Sequence, residues 1–232
     1  MYLYRGKDIR SRDELRETCL GIIKRGSHAE ISDILPHLRI LRSPSFLEPL
    51  LKLLREGNLD QKSVAAMALG SLGDERAIEH LRDAFQQGDS VSDSLQAAII
   101  EALGELGSER AVEIIVELYK LDSSSGDLRP QRAHLAIAAL GQLAQQGVTA
   151  AEDKLLELMA DASEIVRIQS VTELSVAFWH RPKEIPEKLL DRILVLARED
   201  TSEVQMAAKA SLSNLAQLGS SAAEELLARS NH

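Results

Sequence analysis

Apolar residues recur along most of the chain with the period of an α-helix, and the same pattern returns at nearly constant intervals. The segment ALGSLGDERAIEHL (residues 68–81) is repeated in altered form as ALGELGSERAVEII (residues 102–115), 34 residues later. In both copies an Ala-rich run is followed by a short turn and a new amphipathic stretch. A fixed period of this length is typical of stacked helical repeats, so the pattern predicts pairs of α-helices.

The stretch after each turn has one apolar face. In the first copy its members are spaced at i, i+1, i+4, i+7 and i+8, as on one side of a helix. They are Ala77, Ile78, Leu81, Ala84 and Phe85, and the second copy has Ala111, Val112, Ile115, Leu118 and Tyr119 at the same register. The repeat therefore predicts a helix that buries one stripe of side chains and exposes the rest.

The turn between the two helices contains residues suited to helix ends. Gly73 and Gly107 are predicted to end the Ala-rich helix in the left-handed conformation that glycine adopts easily. Asp74 and Ser108 are predicted to cap the helix that follows.

Gly70 and Gly104 lie inside the Ala-rich helices, where glycine costs about 1 kcal/mol relative to alanine. A close approach of a neighbouring helix at these two positions would explain their use.

Weaker copies of the pattern appear when one leucine is taken as the anchor of each Ala-rich helix. The anchors are Leu38, Leu69, Leu103, Leu140, Leu174 and Leu212. One helix pair alone cannot bury its apolar stripe, whereas stacked pairs can. We therefore expect an N-terminal cap or arm over residues 1–11 and a single repeat domain over residues 12–232. The predicted repeats are 12–42, 44–73, 74–107, 108–147, 149–180 and 184–219, with a final helix at 220–229.

The run of an ALG, a leucine and a Gly-Asp-x-x-Ala turn resembles HEAT repeats, in particular the short bacterial type first associated with phycobilisome lyases. The likeness is close over residues 60–121 and recognisable over 130–147 and 202–219. The resemblance implies an all-α fold, a right-handed α-solenoid of about six antiparallel helix pairs. It also implies that the second helix of each pair lines a concave, protein-binding face. The alternative function that it implies is a phycobilin lyase-like or chaperone subunit acting on a chromophore protein, although nothing in the sequence marks a bilin site.

The register predicts which side chains of the second helices point outward on that face. Positions seven residues before and two residues after each anchor are mostly polar, which would form two solvated ridges. The candidate partner-binding residues at these offsets are Lys62, Gln96, Glu105, Gln142, Arg167, Gln205 and Asn214. Any exposed helix face would carry similar residues, so an ordinary solvated surface is the alternative.

Two segments depart from the repeat. The stretch FWHRPKEIP (residues 178–186) contains the only tryptophan, and Trp179, His180 and Arg181 are candidate partner-binding residues because Trp and Arg dominate interaction hot spots. The alternative is that Trp179 covers the hydrophobic core where prolines lengthen the turn. The polar stretch DSSSGDLRPQ (residues 122–131) is predicted to be an exposed loop, either a tolerated insertion or a binding surface.

Charge and composition narrow the choice of partners. The chain has 27 basic and 36 acidic residues, a net charge of −9, although residues 1–60 are slightly basic. An acidic body disfavours nucleic acid and suits a protein or peptide with a basic surface. The single cysteine, Cys19, and the absence of an apolar run of about 20 residues predict a cytoplasmic protein that does not enter membranes.

The sequence contains no motif typical of catalysis, metal binding or cofactor binding. HExxH, CxxC and GxSxG are absent, and GIIKRG (residues 21–26) lacks the lysine of a phosphate-binding loop because Ser27 follows it. No catalytic residue, cofactor or metal is therefore predicted. The sequence favours a non-enzymatic scaffold or adaptor that binds another protein.

Overall fold

The protein is described by a computed structural model over residues 2–4, 7–9, 11–25, 27–86, 92–124 and 130–230. The chain divides into two compact units, unit 1 (Met1–Ala111) and unit 2 (Val112–His232). Each unit has its own buried core of aliphatic side chains.

Unit 1 begins with a short antiparallel hairpin and continues with helices. Its elements are β1 (Tyr2–Tyr4), β2 (Lys7–Ile9), α1 (Arg12–Arg25), α2 (His28–Leu41), α3 (Leu47–Glu56), α4 (Leu59–Leu72), α5 (Ile78–Gln86) and α6 (Asp93–Glu105). Single 3₁₀ turns, Pro44–Phe46 and Glu75–Ala77, lead into α3 and α5. The hairpin lies within the segment predicted as a cap or arm and contacts α1 through β2. Its role as a cap stays a prediction.

Unit 2 consists of helices in the residues that the structure describes. Its elements are α7 (Glu109–Ser124), which starts just before the unit boundary, α8 (Pro130–Gln145), α9 (Thr149–Leu158), α10 (Glu164–Ala177), α11 (Glu187–Glu199), α12 (Ser202–Gln217) and α13 (Ser221–Ser230). The predicted exposed loop over residues 122–131 is wrong at both ends, because α7 continues to Ser124 and α8 begins at Pro130. Proline is favoured in the first turn of a helix, where its missing N–H costs nothing. Residues 125–129 lie outside the described residues.

The second helices of the pairs pack side by side as a layer in each unit. In unit 1, α2 packs against α4 and α4 packs against α6, while in unit 2 α8 packs against α10 and α10 against α12. We call each set the second-helix layer of its unit. The predicted fold class, an all-α solenoid of about six helix pairs, is confirmed by the described helices; the two three-residue strands are a minor addition.

Glycine allows the helices of this layer to approach closely. A Cβ atom added to Gly70 in α4 would lie only 2.7 Å from the Cα atom of Ala102 in α6. No side chain fits there, which confirms the close approach predicted for Gly70 and explains why a residue with poor helix propensity is used.

The predicted helix ends are also confirmed. Gly73 and Gly107 have φ angles of 70° and 69°, in the left-handed region. Asp74 accepts a hydrogen bond from the backbone N–H of Arg76 at 3.1 Å, and Ser108 accepts one from the N–H of Arg110 at 3.3 Å. These turns set where each second helix ends and hence which of its side chains reach the exposed face of the layer.

Candidate functional site

A groove of about 410 Å³ runs along the second-helix layer of unit 1. Three consecutive second helices, α2, α4 and α6, contribute to it. Its lining residues are Leu35, Pro36, Arg39, Ile40, Met67, Ser71, Glu101, Ala102 and Glu105. The groove is thus assembled by the stacking of repeats, and no single helix pair contains it.

The centre of the groove is apolar. Met67 of α4 and Ala102 of α6 lie alongside Leu35, Pro36 and Ile40 of α2. Ile40 is 55% exposed, although isoleucine is among the residue types most often buried. Because Met is flexible and polarizable, Met67 suits a surface that accepts side chains of several shapes.

An ion pair joins the two outer helices of the groove. The Arg39 Nη2 atom of α2 donates to the Glu105 Oε1 atom of α6 at 2.6 Å. The Ser71 hydroxyl of α4 donates to the other carboxylate oxygen of Glu105 at 3.1 Å. Three repeats are therefore connected near the C-terminal ends of their second helices, which fixes the groove before any partner arrives.

Glu101 is the remaining charged residue of the groove. Its side chain is exposed, and it forms no hydrogen bond or ion pair with any residue that the structure describes. It lies one helical turn before Glu105 on the same side of α6, since residues four apart are neighbours on a helix surface. The groove consequently presents one uncompensated negative charge.

The residues predicted for the face of unit 1 have different environments. Glu105 lies in the groove, as its offset of two from the anchor indicated. Lys62 is half-buried near the start of α4, and Gln96 of α6 is only 7% exposed. A solvated ridge at the offset of minus seven is therefore wrong for Gln96, although partner binding by these residues stays a prediction.

In unit 2 the residues seven positions before the anchors Leu174 and Leu212 bind the loop that precedes their own helix. The Arg167 guanidinium donates to the carbonyl oxygens of Asp161 and Ala162, at 2.9 and 3.0 Å, and makes two bonds to the carboxylate of Asp200, at 2.9 and 2.6 Å. Hydrogen bonds from Arg167 lower the pKa of the Asp200 carboxyl. Arg167 therefore holds two successive repeats together and has little capacity left for a partner.

Gln205 has a similar role in the repeat that follows. Its side-chain amide donates to the carbonyl oxygens of Arg198 and Asp200, at 3.2 and 2.9 Å, in the loop that precedes α12. The predicted ridge residues at the other offset, Gln142 and Asn214, are exposed on α8 and α12. In unit 2, therefore, the predicted residues two positions after the anchor are solvent-exposed, whereas those seven positions before it are half-buried.

In the segment after α10 the aromatic ring that enters the core is Phe178, and not Trp179. Phe178 is 1% exposed, whereas Trp179 is 43% exposed, so Phe178 fills the core and Trp179 lies at its surface. Arg181 donates to the Ala144 carbonyl and the Glu152 carboxylate, at 2.9 and 2.8 Å, and its guanidinium lies 4.8 Å from the centre of the Phe178 ring.

Trp179 and His180 remain on the surface, and their binding of a partner stays a prediction. Arg181 joins neighbouring helix pairs through its bonds to Ala144 and Glu152, and its side chain is 27% exposed.

Sequence reasoning missed most residues of the groove. It used the position two after each anchor, which gave Glu105, but not the position two before, which gives Met67 and Glu101. These positions are four residues apart and share one helix side, so the second follows from the first. In α2 the same two offsets give Pro36 and Ile40, which also line the groove, whereas Arg39 lies one residue after the anchor Leu38 and is missed by both.

The described residues contain little that suggests catalysis. Burial raises the pKa of the Cys19 thiol to about 11, so almost no nucleophilic thiolate exists at neutral pH. No group of three or more His, Cys, Asp or Glu side chains within the described ranges is arranged to hold a metal ion.

Comparison with known proteins adds one finding. The sequence model of the family described as HEAT repeats matches residues 47–130, from the first residue of α3 to the first residue of α8. The comparison with curated proteins gives no match. None of the described helices is long and apolar enough to cross a membrane. The groove lies partly within the matched segment, through α4 and α6.

Proposed function

Since the chain is a HEAT-repeat protein, with the repeats recognised over residues 47–130, we propose that it is a non-enzymatic scaffold or adaptor. It binds a segment of another protein in the groove on the second-helix layer of unit 1. HEAT repeats generally serve as protein-interaction scaffolds, and the groove supplies a place where such a segment fits.

The observation that carries this proposal is the exposed apolar surface inside a groove that is already fixed. Ile40 is 55% exposed beside Met67 and Leu35, so burying them under a partner removes apolar surface from water. The Arg39–Glu105 ion pair holds α2 and α6 in place across α4. A surface fixed in advance loses little conformational entropy on binding, which leaves more of the contact energy for affinity.

A pair of matched variants tests the proposal. Ile40→Glu places a charge in the groove, and Leu59→Glu places the same charge on α4 at a residue that is 47% exposed and outside the groove lining. Both side chains are exposed, so neither change should unfold the protein. We expect Ile40→Glu to reduce capture of partner proteins from the source cells by about tenfold or more, while Leu59→Glu retains it.

The measurement is quantitative affinity purification with wild type and both variants at equal loading, after circular dichroism has verified equal helix content. Equal capture by wild type and Ile40→Glu would remove the groove as the binding site. Loss with both variants would point to a general surface effect and equally reject the proposal.

The partner that suits this chain is a protein or peptide with a basic surface, because the chain has a net charge of −9. The lyase-like or chaperone alternative is favoured by no feature of the described residues. Pull-downs with free bilin and with a phycobiliprotein test it directly.

A further inference from the structure

We propose that the segment bound in the groove carries a lysine or arginine close to its apolar anchor, and that Glu101 receives this basic side chain. This inference rests on the proposed function and names the chemistry of the partner at that site. It follows from how the three charges of the groove are paired.

The charges of the groove are unevenly satisfied. Both oxygens of the Glu105 carboxylate are engaged, one by Arg39 at 2.6 Å and one by Ser71 at 3.1 Å. Arg39 is the only cation among the residues that line the groove, and it is used in this pair. Glu101 has no partner among the described residues. An incoming cation therefore has one free carboxylate to meet, and an incoming anion has none of the groove's cations free.

Helix geometry makes Glu101 the place where a cation gains most. Glu101 and Glu105 are like charges at i and i+4 on α6, an arrangement that destabilises an isolated helix. Arg39 compensates one of the two. A partner lysine or arginine beside Glu101 compensates the other, and it does so next to apolar surface that the same partner covers. Removal of water strengthens the attraction between the two charges.

The apolar anchor and the cation lie within reach of one short segment. Met67 and Glu101 occupy the same register position, two before the anchor, on the neighbouring helices α4 and α6. Neighbouring helices pack about 8–10 Å apart. That spacing matches two side chains a few residues apart on one peptide, so a single short segment can fill the apolar centre and reach Glu101.

Nucleic acid fits this groove poorly. A phosphate backbone requires several free lysine or arginine side chains, and the groove offers only Arg39, which is already paired. The lining is mainly apolar and offers no aromatic ring for a base to stack on. A basic protein segment is therefore the occupant that the groove's charges favour.

Peptide selection with a charge-reversed variant tests the inference. A phage-displayed library of random 12-residue peptides is selected against the full chain, and against the full-length variants Glu101→Lys and Asp83→Lys. Asp83 is exposed on α5, outside the groove lining, and carries the same charge change as the control. We expect wild type and Asp83→Lys to enrich peptides that combine an apolar residue with Lys or Arg, and Glu101→Lys to enrich Asp or Glu instead.

Binding of the enriched peptides is then measured by fluorescence anisotropy. Peptides selected on wild type should bind Glu101→Lys about tenfold more weakly, and Asp83→Lys with unchanged affinity. Peptides that lose binding to Ile40→Glu but keep their full affinity and basic residue with Glu101→Lys would overturn this inference and leave the groove in place. Peptides that bind Ile40→Glu as well as wild type would overturn the proposed function itself.

Discussion

The second-helix layers of unit 1 and unit 2 follow the same register, but an equivalent contact between neighbouring helices differs between them. One anchor leucine in each unit, Leu69 in unit 1 and Leu140 in unit 2, is followed by a glycine that faces the residue before the anchor of the next second helix. In unit 1 Gly70 faces Ala102, and in unit 2 Gly141 faces Glu173, whose Cβ would lie 3.0 Å from a Cβ added to the glycine. The residue that faces the glycine, alanine in unit 1 and glutamate in unit 2, thus decides whether the seam, the contact line between two neighbouring second helices, is apolar or contains a carboxylate.

The difference changes where charge is placed on the two layers. In unit 1 the seam is sealed by Ala102, and the carboxylates of Glu101 and Glu105 lie at the groove. In unit 2 the Glu173 carboxyl is half-buried in the seam, and this burial raises its pKa, an effect that nearby His134 partly opposes. Repeats with the same backbone can therefore present either a groove with charged margins or a layer with a carboxylate inside it.

The ion pairs that fasten the repeats differ as well. Arg39 and Glu105 in unit 1 have side chains that are 60% and 31% exposed. Arg167 and Asp200 in unit 2 are 14% and 16% exposed and are joined by two hydrogen bonds. The first pair contributes mainly to the shape of a surface, and the second contributes to stability.

The largest expected effect is a difference in the free energy of unfolding between variants that remove one or the other of these two ion pairs. Arg167→Ala should lower the free energy of unfolding by about 2–3 kcal/mol, because it leaves the carboxylate of Asp200 and two loop carbonyls without their partner. Arg39→Ala should cost less than about 1 kcal/mol, as is usual for exposed ion pairs. Urea denaturation followed by circular dichroism measures both. Equal losses would remove the distinction between a structural and a surface ion pair.

The cost of Arg167→Ala should also depend on pH. The pKa of Asp200 is lowered in the folded state, chiefly by hydrogen bonds from Arg167. A lowered pKa contributes stability above the ordinary pKa of the carboxyl, and this contribution is lost as the pH falls through the folded value. The difference between wild type and Arg167→Ala should accordingly shrink between neutral and strongly acidic pH. A difference that stays constant would assign the loss to packing.

The next largest effect concerns the two glycines. Gly70→Ala should lower the free energy of unfolding by about 1–2 kcal/mol, because the new methyl group meets the backbone of Ala102. Gly141→Ala should be nearly neutral, since the Glu173 side chain can turn away and alanine favours a helix by about 1 kcal/mol.

Gly21→Ala in α1 is the matched control, because its nearest neighbour would be 3.6 Å away. This change should stabilise the protein. Stabilisation by Gly70→Ala as well would contradict the close approach of α4 and α6.

The smallest effect concerns the buried carboxyl of unit 2. A raised folded pKa means that Glu173 contributes stability at acidic pH, and that this contribution is lost as the pH rises through the folded value. Glu173→Gln should therefore raise the free energy of unfolding at neutral pH, by up to about 1 kcal/mol, and have little effect at acidic pH. Thermal unfolding at both pH values measures the change. The same substitution at exposed Glu101 should change stability by no more than a few tenths of a kcal/mol at either pH, through its repulsion with Glu105.

The repeat pattern predicted the fold well because it is carried by local sequence. The spacing of leucines such as Leu69 and Leu103, and the capping residues around Gly73, fix helices and turns without reference to distant parts of the chain. The groove was only partly predictable, because Arg39 reaches Glu105 across 66 intervening positions. Likewise, the sequence could not indicate that Phe178 enters the core and Trp179 does not, since both are aromatic and both follow Ala177, the last residue of α10, where the helical period no longer fixes the direction of a side chain.

The same limit applies to the polar ridge residues. Arg167 and Gln205 look solvated in the register, but the loops before α10 and α12 present carbonyl oxygens to them. Loop geometry of this kind depends on the packed repeat, and periodicity alone does not contain it.

The methionines of the chain allow the most direct test of the groove as the binding site. There are four, and Met67 lies in the groove, Met206 on α12 is 69% exposed, and Met159 is fully buried. Protein labelled with ¹³C in the methionine methyl groups is titrated with a peptide selected on wild type, and the methyl signals are followed by NMR. We expect the Met67 signal to shift with the peptide concentration while those of Met159 and Met206 stay in place. An unchanged Met67 signal at saturating peptide would contradict this.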